Sequence, residues 1–233
     1  MIAWGPLRAA LALGVTQTVA YAASSYLPAI LADAMAADLE LSIAFVFGAF
    51  SAALLLQAVL AQALGRLVDR LGGRIPLAAS SLVFAAGLAT LGLSHNPAQL
   101  VTAWLVMGLG VALGLYDIAF AGLVGWFGAE ARRPITGGTL IAGFASTIGW
   151  PLTACFQAEA GWRGACLAWA AIHLLLTLPL HLSQALAPLG AALVMQASAR
   201  WTVATLGCLC LIGLACLMLL QAPSDEPNKP HRH

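Results

Sequence analysis

GRLVDRLGGR, residues 65–74, carries the charged side chains Arg66, Asp69, Arg70 and Arg74 in a chain of which only 8% is charged. Apolar runs flank it, Ser42 to Leu64 before and Ile75 to Leu93 after. Each has about the 20 residues that a helix needs to cross roughly 30 Å of hydrocarbon. Charge confined between two such runs predicts a turn left in water while its neighbours lie in lipid. Gly65 and Gly72 allow close backbone approach and positive φ. Asp69 can cap a helix N-terminus or pair with an arginine, and Arg70 and Arg74 can bind carboxylates or anionic headgroups.

The same alternation continues outward in both directions. Hydrophobic residues make up 61% of the 233 positions, and the mean hydropathy is +0.92. Soluble domains carry about 25% charged residues, so a water-facing surface cannot be built from this chain. The apolar runs are continuous rather than alternating, which argues against a β-barrel. The fold class is all-α, a polytopic membrane protein with about eight spanning helices: Leu7–Met35, Ser42–Leu64, Ile75–Leu93, Leu100–Trp126, Ile135–Phe156, Gly164–Leu182, a shorter Gln184–Ala197, and Thr202–Leu220. Residues 222–233, APSDEPNKPHRH, are polar and Pro-rich and read as a disordered tail. The first run is too long for a cleaved signal peptide and suits a spanning helix.

Arginine and lysine set the orientation. With the N-terminus inside, Arg8, Arg66, Arg70, Arg74, Arg132, Arg133, Lys229 and Arg232 are cytoplasmic, and only Arg163 and Arg200 lie outside. Both termini are therefore expected in the cytoplasm of a bacterial inner (plasma) membrane protein. One stretch breaks the rule: Gly164 to Ala199 has no charge, and the only turn material there is PLHLSQALAP, residues 179–188. Either the seventh segment is re-entrant or tilted, or helices have been removed at this point.

The spacing Gly65-x-Leu67-x-Asp69-Arg70-x-Gly72-x-Arg74 resembles the loop between helices 2 and 3 of the major facilitator superfamily, with Gly73 where a basic residue is common. YLPAILADAMAADLELS (26–42) is similar to the end of helix 1 and the loop after it. GLGVALGLYDIAFAGLVGWFG (108–128) and ARRPITGGTLIAGFASTIGWPLTA (131–154) resemble helices 4 and 5 of the monocarboxylate and oxalate/formate-like branch. Trp104 stands four residues before Gly108, where the proton-antiport signature has arginine, so drug/proton antiport is disfavoured. The resemblance covers residues 5–182 as the first six of twelve helices, and residues 183–220 are similar to the last two. It implies a shortened transporter: a six-helix bundle over 1–182, two further helices over 183–221, and the tail 222–233. It also implies that Gly65, Asp69, Arg70, Gly72 and Arg74 act as a conformational latch.

Ionisable residues inside membrane helices are expensive and usually functional. Asp117 lies about 14 Å from the cytoplasmic end of its helix at 1.5 Å per residue. Gly110, Gly114, Asp117 and Ala121 fall on one helical face, and small residues in such a stripe mark close helix contact. Asp117 is therefore expected to point into the bundle, either as a proton-coupling or substrate-anchoring site or structurally, as a hydrogen-bonding partner of a neighbouring helix or of Arg66, Arg70 or Arg74. Gln17, Tyr21 and Ser24 form a polar stripe with Pro28 on the first helix. The resemblance implies substrate contact there, while the residues alone allow interhelical hydrogen bonding equally. His173, on one face with Trp169 and Thr177, can change charge near neutral pH or stay neutral and hydrogen-bonded. Gly138, Ala142, Ala145 and Gly149 form a packing stripe ending at Trp150 and Pro151, where a gate or kink is the alternative.

No phosphate-binding loop, catalytic triad or metal-ligand set occurs. The five cysteines fall in or beside apolar runs and read as packing residues. No enzyme activity, cofactor, metal or nucleic-acid partner is expected. The expected partners are the lipid bilayer and a small solute, with proton coupling. The function expected is secondary transport of a small organic solute, an organic anion of monocarboxylate type, by alternating access. A second half reduced to two helices would call for a homo-oligomer or a full-length transporter as partner. The alternative is a non-transporting remnant that binds or regulates a full-length relative.

Overall fold

In the computed structural model residues 5–186 are described, and every element among them is helical. The eighth apolar segment, most of the seventh and the tail lie outside the described residues. In chain order the helices are α1 (Pro6–Ala23), α2 (Leu27–Asp38), α3 (Ile43–Leu71), α4 (Arg74–Gly92), α5 (Pro97–Gly114), α6 (Tyr116–Phe127), α7 (Arg132–Ala142), α8 (Ala145–Ile172) and α9 (Leu178–Leu186). A 3-10 turn, Gly128–Ala131, joins α6 to α7, and a π-turn, His173–Thr177, joins α8 to α9. Three stretches are long and apolar enough to cross a membrane: α3, α4, and the folded-back run Pro97–Gln184.

Positive φ occurs at Glu40, Gly72, Gly128 and Gly161, each between two of the apolar runs in the sequence. Gly161 (φ 69°, ψ 177°) interrupts α8. Beyond it the chain doubles back, because the Trp169 Nε1–H donates to Thr153 Oγ1 at 3.0 Å. Along an unbroken helix those residues would stand about 24 Å apart. The Phe156 and Trp169 rings meet edge to face across the same hairpin, 5.9 Å apart.

The helices then pack by close backbone approach, as expected where lipid removes the hydrophobic drive between helices. α1 lies against α7 and α8, α4 against α5, α8 and α9, and α3 against α5. A Cβ at Gly108 would meet the Ala53 backbone oxygen at 2.5 Å, and one at Gly149 would meet the Ala22 Cβ at 2.7 Å. Gly149 is thus a packing residue, while its neighbour Trp150 is 51% exposed. α8 continues through Pro151, and its only non-helical backbone is at Gly161. Trp104 is buried and meets Phe50 edge to face at 5.2 Å, filling the α3–α5 contact.

Two expectations are corrected here. The charged decapeptide is not a ten-residue turn, because α3 runs to Leu71, α4 starts at Arg74, and only Gly72 and Gly73 turn. Asp69 therefore sits in the last turn of α3 and caps no N-terminus, and the residue preceding α4 is Gly73. Likewise residues 179–186 are not turn material: they continue helically as α9 from the π-turn, and Pro179, which has no N–H to donate, stands just after that turn.

Candidate functional site

Helix α5 stops at Gly114 because Leu115 takes an extended conformation (φ −86°, ψ −171°), and α6 restarts at Tyr116. Such a break leaves carbonyls without helical partners. The buried Gln17 side chain of α1 satisfies one of them, its Nε2–H donating to the Gly114 oxygen at 2.7 Å. Gln17 therefore bridges α1 to the broken helix. Its Oε1 has no partner among the described residues.

The break also redirects the stripe read from the sequence. Gly110 and Gly114 face α4, where a Cβ would stand 3.1 Å and 3.0 Å from the Phe84 ring. Asp117 does not continue that buried face. It is exposed in the first turn of α6 and lines a groove of about 410 Å³ with Gln57, Ala61, Gln62, Gly65, Ala112, Ile118 and Ala121. The expectation that Asp117 points into the bundle is corrected accordingly: its stripe assumed an unbroken helix, and the extended Leu115 rotates α6 out of register with α5.

The groove brings Asp117 together with Gly65 of the charged decapeptide, and adds Gln57 and Gln62 of α3, which sequence reasoning missed. The signal was present, since they are the two carboxamides in a run whose other polar residues are Ser42 and Ser51, and Gln57, Ala61 and Gly65 recur at helical spacing. By contrast, the void enclosed between α1 and α8, lined by Val15, Thr18, Ala22 and Trp169, holds about 10 Å³. That is room for at most one water.

The remaining candidates divide by burial. Tyr21 of α1 meets Tyr116, the residue before Asp117, with ring centroids 4.9 Å apart. Ser24 is buried and donates to the Ala20 carbonyl at 2.6 Å, inside its own segment. Arg66, Asp69 and Arg70 are exposed at the end of α3. Arg74 lies over the Trp126 ring at 4.9 Å. Gly73, where the family pattern has a basic residue, is pressed against α6: a Cβ there would meet the Gly122 Cα at 2.5 Å. His173 is away from the groove, buried and stacked on Phe84 at 4.8 Å.

At the far ends of the helices Arg163 pairs with Asp38 and donates to the Ser94 carbonyl at 2.8 Å, its guanidinium 4.3 Å over the Trp162 ring. It is the one ion pair among the described residues and joins three turns. Among the described residues no group of three metal-ligating side chains forms.

An all-helical bundle with broken helices, glycine-mediated contacts and a polar groove suits a membrane carrier. A family model for the Major Facilitator Superfamily matches residues 13–186. The chain belongs to the Major Facilitator Superfamily. It is accordingly a multi-pass membrane transporter, with the lipid bilayer as its solvent and a small-molecule solute as its cargo; members of the superfamily are transporters rather than enzymes. No curated protein and no solved structure matches it.

Proposed function

We propose that this chain is a secondary transporter of a small organic anion of the monocarboxylate type, worked by alternating access and coupled to protons at Asp117. The observation that carries the reading is the groove of about 410 Å³ that holds an exposed carboxylate beside two carboxamides. Gln57 and Gln62 offer N–H donors suited to a carboxylate. An ionised Asp117 repels an anion, whereas a protonated one donates a hydrogen bond to it. An anion therefore enters the groove favourably only with a proton, and both leave together when the groove opens to the other side. The break at Leu115 supports movement of α6 relative to α5. The exposed Asp69, Arg66 and Arg70 beside the groove suit a latch that closes against another body, a second copy or a partner transporter, with both termini cytoplasmic.

Uptake by the full chain in proteoliposomes tests this. Wild type should accumulate a monocarboxylate down an imposed proton gradient. Asp117→Asn should lose gradient-driven accumulation while retaining anion exchange. Absence of flux for every organic anion in wild type would overturn the reading in favour of a non-transporting remnant.

A further inference from the structure

Four buried side chains outside the groove form one unbroken hydrogen-bonded chain. His181 Nδ1 and Ser81 Oγ are 2.8 Å apart, Ser81 Oγ and Thr177 Oγ1 are 3.0 Å apart, and Thr177 Oγ1 and His173 Nδ1 are 3.2 Å apart. All four residues are at most 4% exposed. The two end atoms, His173 Nε2 and His181 Nε2, are buried with no partner among the described residues. A buried polar atom without a partner is costly. Two at the ends of one satisfied chain are not explained by packing.

The backbone is shaped to align these groups. In an α-helix each step of four residues overshoots a full turn by about 40°, so positions 173, 177 and 181 would fan out over about 80°. The π-turn at His173–Thr177, closed by the Leu178 N–H on the His173 carbonyl, sets an extra residue into the turn and takes back part of that fan. Thr177 and His181 then both reach Ser81 of α4. Among the described residues neither histidine forms an ion pair.

We propose that His181, Ser81, Thr177 and His173 form a proton relay between α4 and α9. Ser81 Oγ has one proton and two neighbours in the chain, and Thr177 Oγ1 has two neighbours in the chain and the His173 carbonyl oxygen at 2.8 Å, which its proton leaves when the relay runs; the chain therefore has two self-consistent polarities. In one, His181 carries its proton on Nδ1, Ser81 donates to Thr177, Thr177 donates to His173 Nδ1, and His173 carries its proton on Nε2. A proton arriving at His181 Nε2 sends the Nδ1 proton to Ser81, the Ser81 proton to Thr177 and the Thr177 proton to His173 Nδ1. His173 then releases its Nε2 proton. One proton enters, one leaves, and the chain is left in the opposite polarity, which rotation of the two hydroxyls and tautomer exchange reset. Both ends are shut off from solvent in this structure, so transfer waits on movement of α9 against α4. The relay is independent of any solute.

The test is proton flux into proteoliposomes holding the full chain, read by a trapped pH-sensitive dye under a potassium diffusion potential, with no solute present. Wild type should conduct. Ser81→Ala and Thr177→Val should each lower the flux by about 100-fold, the lower end of what a positioned proton-transfer group supplies, and Thr177→Ser should restore it. A purely structural hydroxyl would hold each histidine in one tautomer already in wild type, which a second readout, the imidazole nitrogen NMR signals, would show. Both neutral tautomers of each histidine should be present in wild type and one alone in Ser81→Ala. Absence of solute-free proton flux in wild type, or flux untouched by both Ser81→Ala and Thr177→Val, overturns the relay. Because anion flux through Asp117 is measured separately, either reading fails without the other.

Discussion

Alanine at Gly73 tests the two-residue turn directly, because the new methyl group would fall between two backbones. Its Cβ would lie 2.5 Å from Gly122 Cα, 3.1 Å from Gly122 N and 3.2 Å from the Ile118 carbonyl oxygen. Carbon atoms rest at about 3.5–4.0 Å, so α4 and α6 must part by about 1 Å, and no side chain can rotate aside to spare them. Overpacking of this kind costs about 1–3 kcal/mol. Parting the helices also draws Arg74 from Trp126, a contact worth about 0.5–1 kcal/mol. The neighbouring glycines give internal controls. Gly72 has open space around it but φ +73° and ψ 163°, a region that costs other residues about 1–3 kcal/mol through the backbone alone. Gly65 is in mid-helix with nothing within 4 Å of a Cβ, so alanine there should stabilise by up to about 1 kcal/mol. Gly122→Ala meets Gly73 Cα at the milder distance of 3.3 Å and should cost less than Gly73→Ala. Thermal unfolding of the purified chain in detergent, followed by tryptophan fluorescence, reads the series, at about 2–4 °C per kcal/mol for a chain of this size. The expected order of Tm is Gly65→Ala at or above wild type, then Gly122→Ala, then Gly72→Ala and Gly73→Ala lowest. A Gly73→Ala protein as stable as wild type, or Gly65→Ala as the most damaged, would refute both the length of α3 and the α4–α6 contact.

Three further outcomes follow from named contacts. Gln17→Leu should lower stability by about 1–3 kcal/mol, because it strands the buried Gly114 carbonyl at the helix break; Tm measures it, and no change would mean that the break is satisfied otherwise. Thr153→Val keeps the shape of the side chain and removes the acceptor of the Trp169 indole N–H, so a loss of about 1–3 kcal/mol is expected; Tm measures it, and no change would mean that the indole is satisfied otherwise. Arg163→Ala should cost more than Asp38→Asn, since the exposed ion pair contributes at most about 1 kcal/mol while Arg163 also holds Ser94 and covers Trp162; equal losses in a double-mutant cycle would contradict this.

Much of the candidate site was legible in part. Asp117 stood out as a charge inside an apolar run, and the glycine pattern around it did mark close helix contact, with Phe84 as the partner. The groove was not legible, because Gln57 and Gln62 become neighbours of Asp117 only once α3 lies against α5 and α6. His173 could be singled out as an intramembrane histidine. Its connection to His181 could not, since residues 179–188 read as a turn on the strength of two prolines and a lack of charge.

What the sequence by itself determined is the solvent of this protein and most of the places where its chain reverses, residues 179–186 being the exception. Composition settles the first, and length per apolar run settles the second, because backbone groups in lipid must bond within a helix from one interface to the other. Tertiary structure decided which way each polar side chain faces. Periodicity carries a face only along an unbroken helix, and this chain breaks or alters its turn at Leu115 and at His173–Thr177. Across those points direction is set by contacts between residues about a hundred positions apart, Gln17 with Gly114 and Ser81 with His181. Such contacts leave no trace in local spacing. Even GRLVDRLGGR, whose type is plain from its letters, owes the position of its turn to Gly73 meeting Gly122.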